Sequence, residues 1–173
     1  MEDLTLIIPA KNEPESLPSV LEEIKDFNCE KIIILESSDT ETINSIKKFN
    51  YQLIYQSGKG YGDALIDGIN NVKTDYLCIF NADGSFDPRE LKQMLSLCKN
   101  NYDLIFASRY MKNSGSEDDT FLTKIGNFIF TLIGKIFFSV KISDILYTFL
   151  LGRTLSFKKL NLKSKDFCLC VEM

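Results

Sequence analysis

Two short segments of the 173-residue chain carry the residue types that chemistry on a charged ligand needs. Asn81-Ala82-Asp83-Gly84-Ser85 places a carboxylate on a turn, where its oxygens suit a hard divalent cation such as Mg²⁺ or Mn²⁺. Gly58-Lys59-Gly60-Tyr61-Gly62 combines a cation with glycines at the start of a helical pattern, so that backbone donors and Lys59 can meet an anion. It is neither a dinucleotide fingerprint nor a P-loop, because position 63 is Asp and the first strand lacks the glycines. Each segment also has a plain reading, as an Asp-Gly turn and as a glycine-rich loop. Histidine is absent, which removes every Ser-His or Cys-His pair and leaves carboxylates, cations or a metal to carry any catalysis. The five cysteines have no C-x-x-C spacing and read as buried or inert thiols in a reducing compartment, with a metal site at Cys168 and Cys170 as the lesser alternative.

Those segments need elements to hold them. Apolar runs at residues 4–9, 31–35, 52–56, 76–80 and 103–107 read as strands buried on both faces. Between them, Leu17, Val20, Leu21, Ile24 and Phe27 share a helical face behind Ser16 as N-cap, and Ile43, Ile46 and Phe49 do so more weakly. Tyr61, Ala64, Leu65, Gly68, Ile69 and Val72 make a third stripe. Asp87-Pro88-Arg89-Glu90 supplies an N-cap, a first-turn proline and an acidic third position for a fourth, with Leu91, Met94, Leu95 and Cys98 buried. This alternation predicts an α/β fold, a mainly parallel Rossmann-like sheet with helices on both faces. Such sheets bind ligands beyond the carboxyl ends of their strands, which gathers residues 10–13, 36–39, 57–63, 81–85 and 108–110 into one composite site.

Composition narrows the classes. Apolar residues are 45% and charged residues 25%, so the chain is one globular domain that buries roughly 70% of its unfolded surface without a disulfide or metal staple. A net charge of −4 argues against an electrostatic nucleic-acid binder. Met1-Glu2-Asp3 is acidic where a signal peptide is basic, and Pro9 and Lys11 interrupt the apolar run that follows, which predicts a cytoplasmic location. After Tyr110 an acidic stretch, 112–120 with Glu117, Asp118 and Asp119, reads as a mobile solvated lid. The simplest division is a single domain over 1–173, with a binding core at 1–110 and an acceptor-side elaboration at 111–173.

Taken together the motifs resemble the family 2 glycosyltransferases, especially the branch of polyprenyl-phosphate (dolichol-phosphate) mannosyl- and glucosyltransferases. Leu4-Thr5-Leu6-Ile7-Ile8-Pro9-Ala10-Lys11-Asn12-Glu13 resembles the opening strand and P-x-x-N-E turn, Gly58-Lys59-Gly60 with Ala64-Leu65 the G-K-G-x-A-L element, Asn81-Ala82-Asp83 the D-x-D position, and Ala107-Ser108-Arg109-Tyr110 the G-S-R-Y segment. The resemblance implies a type A glycosyltransferase fold, a nucleotide-sugar donor and a divalent metal. It implies that Pro9, Lys11 and Glu13 line the nucleotide, that Glu36 reads base or ribose, that Lys59, Gly60, Asn81 and Ala82 shape the donor site, that Asp83 ligates Mg²⁺ or Mn²⁺, and that Arg109 and Arg153 meet phosphate oxygens. The reaction implied is an inverting single displacement onto a lipid-phosphate or glycan acceptor in cell-envelope polysaccharide synthesis. A hydroxyl acceptor needs a carboxylate base, for which Asp144 is the candidate, with a loop cap as its alternative role. A lipid phosphate is already ionised and needs none.

The departures leave a second reading open. Asn81 replaces an Asp, the acidic pair after the second strand is reduced to Glu36, and family members generally continue beyond the position of Met173, which is the expectation for a truncated or incomplete enzyme. A non-catalytic nucleotide-sugar-binding subunit fits those departures. A sugar-nucleotide pyrophosphorylase is disfavoured because the first loop lacks a long glycine-rich, Arg- and Lys-bearing signature. Finally, Ile125, Phe128, Ile129, Leu132, Ile133, Ile136 and Phe137 form one apolar stripe, with Phe121, Phe130 and Phe138 beside it. Its lysines make it too polar for a confident span. It reads either as a helix packed on the domain or as a peripheral membrane contact over 121–138, placing the protein on the inner face of the membrane.

Overall fold

Alternating apolar runs and amphipathic segments produce a six-stranded sheet in the computed structural model, which describes residues 1–110, 121–139 and 142–173. The segment 112–120, expected as a lid, lies outside the described residues. The strands are β1 Leu4–Pro9, β2 Glu30–Leu35, β3 Gln52–Tyr55, β4 Tyr76–Ile79, β5 Leu104–Phe106 and β6 Leu150–Arg153, in the order β3-β2-β1-β4-β6-β5. β3, β2, β1 and β4 pair in parallel, and β6 runs antiparallel to both of its neighbours, β4 and β5. The expected α/β class is therefore observed.

Side chains alternate across the sheet, and each face has its own core. Leu4, Leu6 and Ile8 of β1 pack with Leu17, Val20 and Leu21 of α1 (Ser16–Glu23), Ile46 of α2 (Thr40–Ile46), and Leu91, Met94 and Leu95 of α4 (Glu90–Lys99). Ile7, Ile32 and Ile34 face the other way, toward Ala64, Leu65 and Ile69 of α3 (Tyr61–Asn71), Phe157 of α6 (Thr154–Lys159) and Leu169 of α7 (Leu169–Glu172). The remaining helix is α5, Phe121–Phe138.

Four local expectations are corrected. β3 and β5 are edge strands and only partly buried, because each lacks a neighbour on one side. Ser16 is the first residue of α1 rather than its cap; Glu15 takes that place, and the Ser16 hydroxyl donates to Glu13. α4 starts at Glu90, since Asp87 and Pro88 close a separate turn in which the Asp87 carboxylate accepts the Arg89 N–H at 2.9 Å. β6 was not expected at all. It inserts between β4 and β5, so the sheet draws on both sides of residue 110 and a core bounded at 1–110 does not follow the fold.

Candidate functional site

The loops after β1, β3 and β4 converge at the carboxyl edge of the sheet on a cavity of about 590 Å³. Pro9, Lys11, Glu13, Lys59, Gly60, Asn81, Ala82 and Asp83 all line it, whereas residues 36–39 and 108–110, which the composite-site reading also gathered there, are not among the lining residues. Tertiary contacts hold each loop. Asn12 adopts the left-handed conformation at φ 57°, which an Asn tolerates, and its N–H donates to Asp39 Oδ2 at 2.7 Å. The next amide, of Glu13, donates to the buried Thr42 hydroxyl at 2.9 Å. Asp39 and Thr42 open α2, so that helix clamps the first turn. Both are positioning residues without a recognisable motif, and only the position of Asp39 in the second loop pointed to it.

Lys11 reaches Glu36 at 3.0 Å. Glu36 is not among the residues lining the cavity; it holds Lys11, which is. On the β4 loop, Gly84 sits at φ 82°, a conformation that suits glycine, and turns the chain back so that the Ser85 N–H donates to Asp83 Oδ1 at 2.9 Å. The Asn81 amide donates to Ser85 Oγ at 3.2 Å. Asp83 is exposed, and among the described residues its second carboxylate oxygen has no hydrogen-bond partner. A turn-locked carboxylate with one open oxygen on the cavity wall fits a hard divalent ion shared with a diphosphate. Among the described residues no group of three His, Cys, Asp or Glu could hold a metal by itself.

The glycine-rich turn departs from expectation. The amides of Lys59 and Gly60 point at the carboxylate of Asp63, at 3.2 and 3.4 Å, so the anion they meet is the chain's own. Lys59 is itself among the residues lining the cavity. The glycines serve a second purpose, because residues 163–173 cross directly over them. A Cβ on Gly60 would lie 1.8 Å from the carbonyl oxygen of Lys165, and one on Gly62 2.2 Å from that of Ser164. The Asp63 N–H donates to the Lys165 carbonyl at 3.1 Å, Phe167 stacks on Tyr61 at 4.8 Å, and the Glu172 carboxylate accepts the amides of Lys163 and Ser164 at 2.9 and 2.8 Å. This strap carries Asp166, Phe167 and Cys170 into the cavity wall, a contribution sequence reasoning missed. The closely spaced glycines were its one signal. Burial pushes the Cys170 thiol up to about 11 and the Tyr61 hydroxyl to about 12, so both stay neutral near pH 7. Replacing Gly60 with Val should therefore lift the strap, costing about 1–3 kcal/mol and weakening donor binding together, rather than leaving the fold intact. Limited proteolysis within 160–173 alongside donor titration checks this; an unchanged cleavage rate would show that the strap tolerates the side chain.

Two further candidates sit elsewhere. Arg109 donates to Asp144 from Nε at 2.8 Å and from Nη2 at 3.0 Å, and its guanidinium packs over the rings of Tyr147 and Tyr110. Asp144 is 2% exposed and both of its oxygens accept from Arg109, so it is closed off from an incoming acceptor hydroxyl. Neither residue is among those lining the cavity. Arg153 is corrected outright. β6 is antiparallel, so Arg153 pairs with Tyr76 at the amino end of β4, on the opposite edge from the cavity, where it meets Asp103 at 3.8 Å and the Tyr76 ring.

The sequence matches Glycosyl transferase family 2 over residues 5–160. It is 24% identical over 146 residues to a dolichyl-phosphate hexose transferase of Haloferax volcanii, covering 83% of this chain and 63% of that protein. It is 26% identical over 142 residues to a dolichol-phosphate mannosyltransferase of Pyrococcus furiosus, covering 77% and 40%. In fold it is similar to glucosyl-3-phosphoglycerate synthase from Mycobacterium tuberculosis, solved with Mn²⁺, UDP-glucose and phosphoglyceric acid, at a TM-score of 0.74 and 13% identity over 97% of this chain and 62% of that one. The chain thus spans less than two thirds of the length of these relatives.

Proposed function

The chain belongs to glycosyl transferase family 2, and we propose that it transfers a hexose from a nucleoside-diphosphate sugar to a lipid phosphate, by a single displacement that inverts the anomeric carbon. The observation that carries this reading is Asp83, an exposed, turn-locked carboxylate at the end of β4 on the wall of a cavity that also holds Lys11 and Lys59. Asp83 would hold Mg²⁺ or Mn²⁺, with Asn81 beside it; when bound, the ion neutralises charge developing on the departing diphosphate. Lys59 and Lys11 add fixed positive charge on the same wall, while Pro9, Glu13 and Ala82 shape the donor's bed. Arg109 is assigned to phosphate oxygens at the acceptor side, held there by Asp144.

The choice of acceptor follows from the base. Histidine is absent and both oxygens of Asp144 are engaged by Arg109, which favours a phosphate that is already ionised over a glycan hydroxyl. α5 supports a membrane-borne acceptor. Its buried residues include Asn127 and Thr131, whereas Phe128, Ile136 and Phe137 are 67%, 64% and 75% exposed, so the apolar stripe faces away from the domain. Among the described residues no helix is long and apolar enough to cross a membrane, and a helix lying in the interface fits such a face. Co-sedimentation with anionic vesicles should bring the protein down, and replacing Phe128 and Phe137 together with Glu should return it to the supernatant. Recovery in the supernatant for both proteins would assign the stripe to a protein contact.

The direct test is a donor panel of UDP- and GDP-sugars with and without Mg²⁺ or Mn²⁺, with a polyprenyl phosphate as acceptor. Metal-dependent transfer is the expected result. Asn81 and the occupied Glu36 favour a second reading, a non-catalytic nucleotide-sugar-binding subunit, and donor binding without turnover would establish that one instead.

A further inference from the structure

We propose that Phe167 and Asp166 of the strap form the hexose subsite of the donor cavity and select a neutral pyranose over a uronic acid. The inference rests on reading that cavity as the donor site, and it names what the strap recognises there. Of the strap, Asp166, Phe167 and Cys170 line the cavity. Phe167 is 73% exposed although its ring is fixed, stacked on Tyr61 at 4.8 Å with 8° between the planes. Tyr61 is anchored in turn, its hydroxyl donating to Thr148 Oγ1 at 3.4 Å. With one face against Tyr61, the Phe167 ring offers the cavity its other face and its edge. A large apolar ring held rigid and left uncovered is a platform that loses little entropy when a ligand lands on it.

The neighbours of the ring define what lands there. Asp166 is exposed beside it, and its Oδ1 accepts the Cys168 N–H at 2.9 Å. That N–H, together with the Cys168 thiol, holds the carboxyl below the usual carboxylate range, so Asp166 is an anion near pH 7. A carboxylate has about four lone-pair sites, which leaves room for hydroxyl donors. Among the described residues no ion pair involves Asp166, so neither Lys11 nor Lys59 of the same cavity cancels its charge. A pyranose meets both groups at once, with C–H bonds for the ring and hydroxyls for the carboxylate. A uronic acid brings a second carboxylate, which Asp166 repels.

A nucleobase also stacks on an aromatic ring, but this ring stands on the Asp83 side of the cavity. Leu150 pairs with Ile79 at the end of β4, so Thr148, just before it, lies beside the loop that carries Asp83. Burial chiefly pushes the Tyr61 hydroxyl up to about 12, and the charge of Asp83 adds to it. In a nucleoside-diphosphate sugar whose diphosphate rests on a metal at Asp83, the hexose is bonded directly to phosphate, whereas the base lies beyond the ribose. The hexose is therefore the part nearest the ring.

The test measures equilibrium binding to the full chain in Mn²⁺ with two sets of probes: UDP, UDP-glucose and UDP-glucuronate, and GDP, GDP-mannose and GDP-mannuronate. Phe167→Leu should weaken the preferred hexose nucleotide about ten-fold and its parent diphosphate by less than about two-fold, whereas Phe167→Tyr, which keeps the ring, should match wild type. Wild type should bind the uronate about ten-fold more weakly than the hexose, and Asp166→Asn, whose oxygen still accepts the Cys168 N–H, should bring the two within about three-fold. This second variant keeps the test decisive if Phe167→Leu loosens the strap. Equal losses for diphosphate and hexose nucleotide would make Phe167 a base platform, and that result, unchanged hexose binding, or a uronate bound as well as the hexose overturns the proposal. If no nucleotide binds at all, the donor reading fails and the subsite with it, a result distinct from nucleotide binding that ignores Phe167 and Asp166.

Discussion

Asp83→Asn should lower nucleotide-sugar turnover on the order of 10²–10³-fold while leaving thermal unfolding nearly unchanged. The substitution keeps the shape of the turn, since an Asn oxygen can still accept the Ser85 N–H that Asp83 Oδ1 accepts at 2.9 Å. What it removes is the charge on the second, open oxygen. The defect should lie in kcat and in metal dependence, and raising Mn²⁺ should recover only part of it. Asn81→Asp, which adds a carboxylate on the same cavity wall, should be neutral or mildly activating. Wild-type turnover in Asp83→Asn would remove the metal role from this residue. If neither protein turns over any donor, yet both bind one equally with and without metal, the binding-subunit reading replaces the enzyme.

Arg109→Met should destabilise the protein by about 3–5 kcal/mol, read as a lower midpoint in urea, because it strands the carboxylate of Asp144 in a site only 2% exposed. Pairing it with Asp144→Leu should restore most of that loss, since a buried ion pair can be exchanged for apolar side chains at little net cost. The double variant also separates two roles. If Arg109 meets phosphate oxygens during transfer, turnover stays low after stability returns; recovery of turnover with stability would make the pair a purely structural strut. Asp144→Asn, which can still accept from Arg109, should fall between the two in stability.

Much of the candidate site was legible because short-range rules place it. Strands β1, β3 and β4 run parallel in one sheet, so the residues that follow them, Lys11, Lys59 and Asp83, share one edge. The stripes of α3 and α4 fell where their periodicity put them, with Val72 as the C-cap of α3, whereas α1 ends at Glu23 and leaves Phe27 in the turn beyond it. Asp63 was harder to read. A carboxylate three residues into a helix is a capping signal, and in the fold its oxygen takes the turn amides that a glycine-rich helix start otherwise offers to a ligand.

Local sequence by itself determined the class of the sheet, the residues at its carboxyl edge and the family they point to, because those depend on hydrophobic period and loop chemistry. Tertiary structure alone decided which side of the sheet Arg153 faces, since strand direction in β6 follows from its pairing with β4 and from no property of Leu150–Arg153 itself. It decided that α5 turns Asn127 and Thr131 inward and its apolar stripe outward, an orientation that periodicity cannot assign because a stripe marks a face and not its partner. It also decided that residues 163–173 close over Gly60 and Gly62, a contact between segments about a hundred residues apart whose only physical requirement is the absence of two side chains.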